Sequence, residues 1–294
     1  MEAELLMGVP HRRYGTRKRF QIFENNWLSI CFYCYLPVMK YKEVHITLLI
    51  VFAGSVLVSA KSGFSSKKIS ISYGDYFNGF GEHIGTDSLS DGKIYIAEKW
   101  KSLIVKNALK EGGRENILIA KSSSYEIPSI KILYECLDVL KRTKANGGLR
   151  EEVSVLFTDG KITRGKTGPK PIFSQNVMIQ EVSIPAFPDK KQDSDVEVVI
   201  HSHAIGSVID IDRLYSISAF EKSKADQVTF HRFKMNIIVG HLGNAVVDPI
   251  RNTVHDKPLG IVIYYRKTWS EVGIRFSSID RIIDYLQEDM VTVR

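Results

Sequence analysis

The strongest constraint on this chain is the stretch from Val196 to Gly206, VEVVIHSHAIG. Val196, Val198, Val199 and Ile200 are β-branched, and such side chains favour an extended, packed backbone. The run closes on His201 and His203 with Ser202 between them. Side chains alternate across a strand, so both imidazoles leave one face and Ser202 leaves the other. The two histidines then stand roughly 6.5–7 Å apart along the strand. A buried strand has little use for imidazole unless its nitrogens are engaged. Two rings on one face can converge on a single cation, about 2.0–2.1 Å from each nitrogen. The apolar run stops here, so the pair belongs at the rim of a sheet, within reach of a substrate.

Two other stretches supply groups that such a centre needs. In EKSKADQ, Ser223 and Asp226 stand in an S-x-x-D spacing. On a helix these positions share a face, so Asp226 can offer a carboxylate oxygen to zinc with the Ser223 hydroxyl beside it. The same spacing also describes a helix cap with its first-turn acid. In LREEVSVLF, a carboxylate opens a strand. Hydrolysis at a metal needs a base that takes a proton from water and returns it to the leaving group. Glu152 is placed for that role, and its neighbour Glu151 remains open as the alternative.

The organisation around these motifs predicts an α+β fold. KISISY from Lys68 reads as a short strand, and GDYFNGFGEHIGTDSLSDGK, which holds His83, as a loop. AEKWKSLIVKNALKEGG carries Trp100, Leu103, Ile104 and Ala108 at helical spacing, and NILIA reads as a buried strand. PSIKILYECLDVLKRTKANGG is an amphipathic helix with start and stop signals. EVSVLF and KITRG flank an Asp-Gly turn. GKTGPKPIF lacks the phosphate-loop pattern and reads as a turn. NVMIQEVSI, VEVVIHSH, NIIVGH and GIVIYY are further strands, the segment around Ser223 is partly helical, and SSIDRIIDYLQEDM closes the chain as a helix capped by Ser277 or Ser278. This order implies a mixed sheet flanked by helices.

The front of the chain reads as an address. From Met39, two lysines precede an apolar run, Ile46 to Ala60, that ends in Val58-Ser59-Ala60. That is the layout of a secretory signal peptide, and the run is shorter than the roughly 20 residues of a comfortable membrane span. The expected organisation is an upstream extension at 1–38, a signal peptide or membrane anchor at 39–60, an N-terminal α/β segment at 61–125 and a catalytic domain at 126–294. The expected location is secreted or periplasmic after cleavage, with membrane anchoring through 46–60 as the alternative. Cys31 and Cys34 form a lone C-x-x-C, a weak signal, and Cys136 reads as a buried thiol.

Taken together, REEVSVLF, VVIHSH and SKAD resemble the pattern of the JAMM (JAB/MPN) zinc metalloprotease family, in its divergent bacterial branch of toxin and peptidase type. The likeness covers roughly residues 128–265, with long helix, glutamate strand, hairpin, H-x-H strand and S-x-x-D helix in the family's order. It implies a cytidine-deaminase-like three-layer fold, His201, His203 and Asp226 as Zn2+ ligands, Glu152 as general acid/base and Ser223 as hydrogen-bond donor to the oxyanion. It also implies hydrolysis of a peptide or isopeptide bond in a protein or peptide substrate. The chain departs from the pattern in two places. Ala204 stands where the family has proline, and Ala204 to Lys222 puts nineteen residues where the family has a short spacer. That longer spacer contains Asp210 and Asp212, either of which is an alternative third ligand to Asp226.

Charge adds little. The formal net charge is +7, but it is unevenly spread, with seven basic against four acidic residues in 1–60 and 33 against 29 in the rest. No aromatic-basic interleaving of a nucleic-acid surface accompanies it, so no nucleic-acid partner is expected. The leading reading is an exported zinc-dependent metallopeptidase. The alternatives are a non-catalytic JAMM-like interaction module, which would lack stoichiometric zinc, and a membrane-tethered basic binding protein, whose binding would fall steeply with salt.

Overall fold

The protein is described by a computed structural model covering residues 74–292, except 90, 175–176, 189, 211–212, 249, 252 and 269. The expected segments 1–38 and 39–60, the Cys31–Cys34 pair and the strand from Lys68 lie outside the described residues. The chain divides into two compact units, Met1–Ser66 and Lys67–Arg294, and the described residues all belong to the second.

The elements run β1 (Asp75–Phe77), β2 (His83–Thr86), β3 (Ile94–Ala97), α1 (Ser102–Glu111), α2 (Arg114–Ser122), β4 (Ser124–Ile127), α3 (Ile130–Ala145), β5 (Val153–Phe157) and β6 (Ile162–Arg164). They continue through β7 (Ile172–Ser174), β8 (Val177–Ile179), β9 (Val196–Ser202), β10 (Val208–Asp210), β11 (Arg213–Tyr215), α4 (Lys224–Arg232) and β12 (Met235–His241). The last are β13 (Val246–Asp248), β14 (Thr253–His255), β15 (Leu259–Tyr265), β16 (Ser270–Arg275) and α5 (Phe276–Thr292).

The fold is α+β. Its centre is a mixed six-stranded sheet in the order β16-β15-β12-β9-β5-β6. Only β9 and β12 run parallel; the other pairings are antiparallel. Strands buried on both faces read as near-continuous apolar runs, as in the fully buried MNIIVGH of β12. On one face, Leu156, Val198, Ile200, Ile237 and Ile261 pack against α3 and α5. On the other, Val153, Val155 and Val199 meet Phe233 and the segment carrying Val182, Ile184 and Phe187, while Ile238 and Val262 meet Phe230 of α4. Helices therefore cover both faces, giving three layers. The smaller sheet, in the order β2-β1-β3-β4, adds Phe77, Ile94, Ile96 and Ile127 to the α3–α5 core.

Four expectations are corrected. NILIA is helical: it lies in α2, which follows α1 after Gly112 and Gly113, both at positive φ (68° and 84°). A strand there would need alternating burial, whereas Ala120 is the only buried residue of α2. The Gly- and Asp-rich stretch at 74–93 is more than a loop, because it holds β1 and β2, paired antiparallel. Of NVMIQEVSI, Val177–Ile179 is strand; beyond it the Gln180 side chain bonds Leu149 O and the Ala204 N–H instead of a ladder partner. Ser277 and Ser278 lie inside α5, which starts at Phe276, and Ser278 Oγ donates to Gly79 O (3.2 Å). The helix at 130–145, the Asp-Gly hairpin and the strands carrying VEVVIHS, NIIVGH and GIVIYY form as expected.

Candidate metal centre

β9 places its histidines as alternation requires. His201 and His203 are both buried, with ring centroids 5.4 Å apart. The His203 N–H bonds Val239 O, extending the parallel ladder to β12. The long spacer after the histidines folds largely as the β10–β11 hairpin, and its return leg pairs with the end of β12 at Ser218 and His241. That return leg orients one imidazole: His203 Nδ1 lies 3.0 Å from Ser218 O. A carbonyl can only accept, so Nδ1 carries the proton and Nε2 keeps its lone pair. A backbone partner on the far nitrogen is the usual way a ligating histidine is fixed.

Asp226 faces both rings. Its Oδ1 is 3.1 Å from His201 Nε2, and its Oδ2 is 3.6 Å from His203 Nε2. The contact with His201 is close but not aligned as a hydrogen bond, so His201 Nε2 is a buried nitrogen without a hydrogen-bond partner among the described residues. One donor atom from each of the three residues lies within 4.8 Å of the others. A tetrahedral site with bonds of 2.0–2.1 Å has edges of roughly 3.4 Å, and the two carboxylate–imidazole separations bracket that value. The His201, His203 and Asp226 group can hold a metal ion, and the unsatisfied His201 nitrogen is the sign that the three donors fit one.

The S-x-x-D stretch forms a cap as well. Ser223 is the N-cap of α4: its Oγ accepts from the Asp226 N–H (3.0 Å), and Asp226 Oδ2 accepts from the Ser223 N–H (2.8 Å). The two sequence readings are thus one structure, in which the capping box turns the carboxylate toward the histidines. Burial alone would raise the Asp226 carboxyl, but the His201 and His203 imidazoles outweigh it and hold it well below the usual carboxylate range.

The two glutamates separate. Val153 pairs with His201 across β5 and β9, so Glu151, two residues earlier, shares the histidine face. Glu151 lines the same cleft as His201, His203 and Asp226. Burial pushes its carboxyl up to about 7; His203 opposes that shift, while Asp226 and Glu181 add to it. The structure does not bring Glu152 to the cluster. It points to the α3 side, where it accepts from Arg142 Nη1 (2.6 Å), Asn146 Nδ2 (2.8 Å) and Thr167 Oγ1 (2.7 Å). Ser202 shares that side: its Oγ accepts from the Glu152 N–H (2.9 Å) and contacts Thr143 Oγ1 (2.7 Å). Ser154 joins Arg142 to Glu135 there, and Arg164 pairs with Glu135. The sequence reading missed this network. Its signal is the polar stripe Glu135, Asp138 and Arg142, set at helical spacing beside an apolar face.

Ser223 stands at the cleft with Asp226. Its oxygen accepts from a backbone N–H, which leaves its own proton free to donate. The side chains of Asp210 and Asp212 lie outside the described residues. Of the other histidines, His83 is in β2, stacked on Tyr285 at 4.2 Å. Both ring nitrogens of His241 meet carbonyl oxygens, of Lys257 and Ile205, and His255 is exposed.

The cleft has a volume of about 800 Å³. Val153, Met178, Ile184 and Tyr215 line it beside polar residues that include Gln180, Glu181, Glu221 and Lys222. The lining is more polar than that of a usual small-molecule pocket, which is mostly apolar. The fold and the cluster define an α+β protein with a buried His–His–carboxylate centre opening on a cleft. No family model, curated protein or solved structure matches the chain.

Proposed function

We propose that this chain is an exported zinc-dependent hydrolase of amide bonds in proteins or peptides, of the kind its JAMM-like pattern implies. The observation that carries this reading is the meeting of His201, His203 and Asp226 on the cleft face that also bears the buried Glu151. Zinc held by the three residues would polarise the scissile carbonyl and acidify water. Glu151, rather than Glu152, takes the role of general acid/base. It lies on the histidine face, and its carboxyl is poised near neutrality, where a group both accepts and releases protons well. Ser223 donates its free proton to the carbonyl oxygen as negative charge develops there. The Ser218 carbonyl keeps His203 in the tautomer whose Nε2 faces the centre, and the capping box aims Asp226. The cleft, lined by apolar and polar residues alike, would seat the substrate's side chains.

The test combines zinc content with cleavage of a quenched fluorescent peptide mixture by the full chain. Glu151→Gln is expected to retain zinc and lose at least about 100-fold in rate, the usual scale for removing an acid/base group. Glu152→Gln is expected to retain both zinc and most of the rate. Equal rates for the parent and Glu151→Gln would remove Glu151 from the mechanism. A parent chain without zinc at neutral pH would instead make it a binding module.

A further inference from the structure

α1, the turn before it and α2 expose large apolar side chains away from their own core. At 100° per residue, Val105 and Ala108 define the buried side of α1; Leu103 lies opposite it, Ile104 on its flank, and Trp100 in the turn just before the helix. They are 68%, 50% and 86% exposed. In α2 Ala120 is buried, Leu118 is exposed on the reverse side and Ile119 is exposed on the flank (59% and 44%). A surface helix normally turns its second face to water with polar residues. Here large apolar side chains share that place with the exposed Asn107, Glu111, Glu115 and Ser122, and the exposed cations Lys99, Lys106, Lys110 and Arg114 outnumber the two acids. Lys106, Lys110 and Arg114 are exposed and make no ion pair among the described residues, and Lys99 Nζ sits 5.0 Å from the Trp100 ring.

We infer that this outer face of α1 and α2 seats on the surface of a phospholipid bilayer bearing anionic headgroups. Two observations favour that occupant. The first is chemical: tryptophan and aliphatic side chains beside unpaired lysine and arginine match an interface whose acyl boundary is apolar and whose headgroups are negative. The second is the chain upstream. The apolar run from Ile46 ends at Ala60, and residues 61–73 separate it from Gly74. That linker reaches at most about 45 Å when extended. An anchor retained at 46–60 would hold Gly74, the first described residue, within that reach of a bilayer. The metal centre lies on a different set of elements, so membrane seating stands or falls without it.

Trp100 reports on this directly. The chain has three tryptophans, Trp27, Trp100 and Trp269, so Trp27→Phe with Trp269→Phe leaves Trp100 as the only indole. The full chain is reconstituted into phosphatidylcholine vesicles with and without phosphatidylglycerol, using acyl chains brominated near the headgroup. In the anionic vesicles, Trp100 emission is expected to move to shorter wavelength and lose roughly half its intensity to the bromolipid. Leu103→Glu with Ile104→Glu should abolish both effects. The milder pair, Leu103→Ser with Ile104→Ser, should weaken them and serves if the acidic pair disturbs folding by far-UV circular dichroism. Trp100 fully accessible to aqueous acrylamide in anionic vesicles overturns the inference. So does Trp100 shielded from acrylamide yet unquenched by bromolipid in the anionic vesicles, since residues 46–60 or a second copy would then cover the face. Equal quenching with and without phosphatidylglycerol overturns the anionic preference.

Discussion

Val153 of β5 lies directly across from His201 of β9, and that one pairing sends two adjacent glutamates to opposite faces of the sheet. Glu151 joins the histidines in the cleft, while Glu152 turns to α3 and is held by Arg142, Asn146 and Thr167. One carboxylate faces the candidate metal centre, and the other fastens the strand that presents it.

Zinc content should depend on all three converging donors. His203→Ala and Asp226→Asn are each expected to lower zinc from near-equimolar to a small fraction, as measured by elemental analysis of the dialysed full chain. His241→Gln should leave it unchanged, because both His241 nitrogens are committed to carbonyl oxygens. A Ser218 backbone contact cannot be deleted by substitution, so the His203 tautomer is better read from nitrogen-15 chemical shifts, which should show Nδ1 protonated.

Glu152→Gln should act on stability. The substitution removes a charge-assisted bond to Arg142 from a site that is 4% exposed at the side chain. Arg142 keeps Asp138 at 2.9 Å and Glu135 at 3.6 Å, so the loss is expected at about 1–3 kcal/mol. A lower urea midpoint with an unchanged slope would report it.

Ser223→Ala removes one half of the capping box. Losing a serine N-cap costs about 0.5–2 kcal/mol, and the carboxylate that the cap aims would be less well held. The variant should therefore show both a lower melting temperature and weaker zinc retention under a chelator. Ser223→Asp keeps an N-cap acceptor but adds a second carboxylate beside Asp226, so it should recover stability without recovering catalysis.

Cys136 should be inert. It is fully buried in the α3 core, and burial pushes its thiol well above the ordinary range. A chain carrying Cys31→Ser and Cys34→Ser is expected to show no reaction with a disulfide reagent when native and one reactive thiol in denaturant.

Much of the layout follows from local pattern. The α3 amphipathic face, the Asp-Gly turn and the β-branched strands are each set by neighbours in sequence, and the histidine pair follows from alternation alone. The choice between Glu151 and Glu152 needs a register between strands more than forty residues apart, which no local pattern contains. One hint was present. Glu151 shares parity with Val153, Val155 and Phe157 of its own strand, the residues packed on the histidine face. NILIA misled because its apolar residues suit a strand, yet the double glycine before it turns the chain back as a helix whose apolar side chains point outward. β1 and β2 were hidden by their glycines and aspartates, which serve tight turns between very short strands.

Asp226 gives one oxygen to the N-cap of α4 and faces the His201 and His203 rings, at and just beyond the end of β9, with both oxygens. A captured ion would therefore rivet that helix to the central sheet. Amide protons at the start of α4 would exchange more slowly in the loaded protein, while chelation would loosen the front of one helix and leave the rest of the molecule standing.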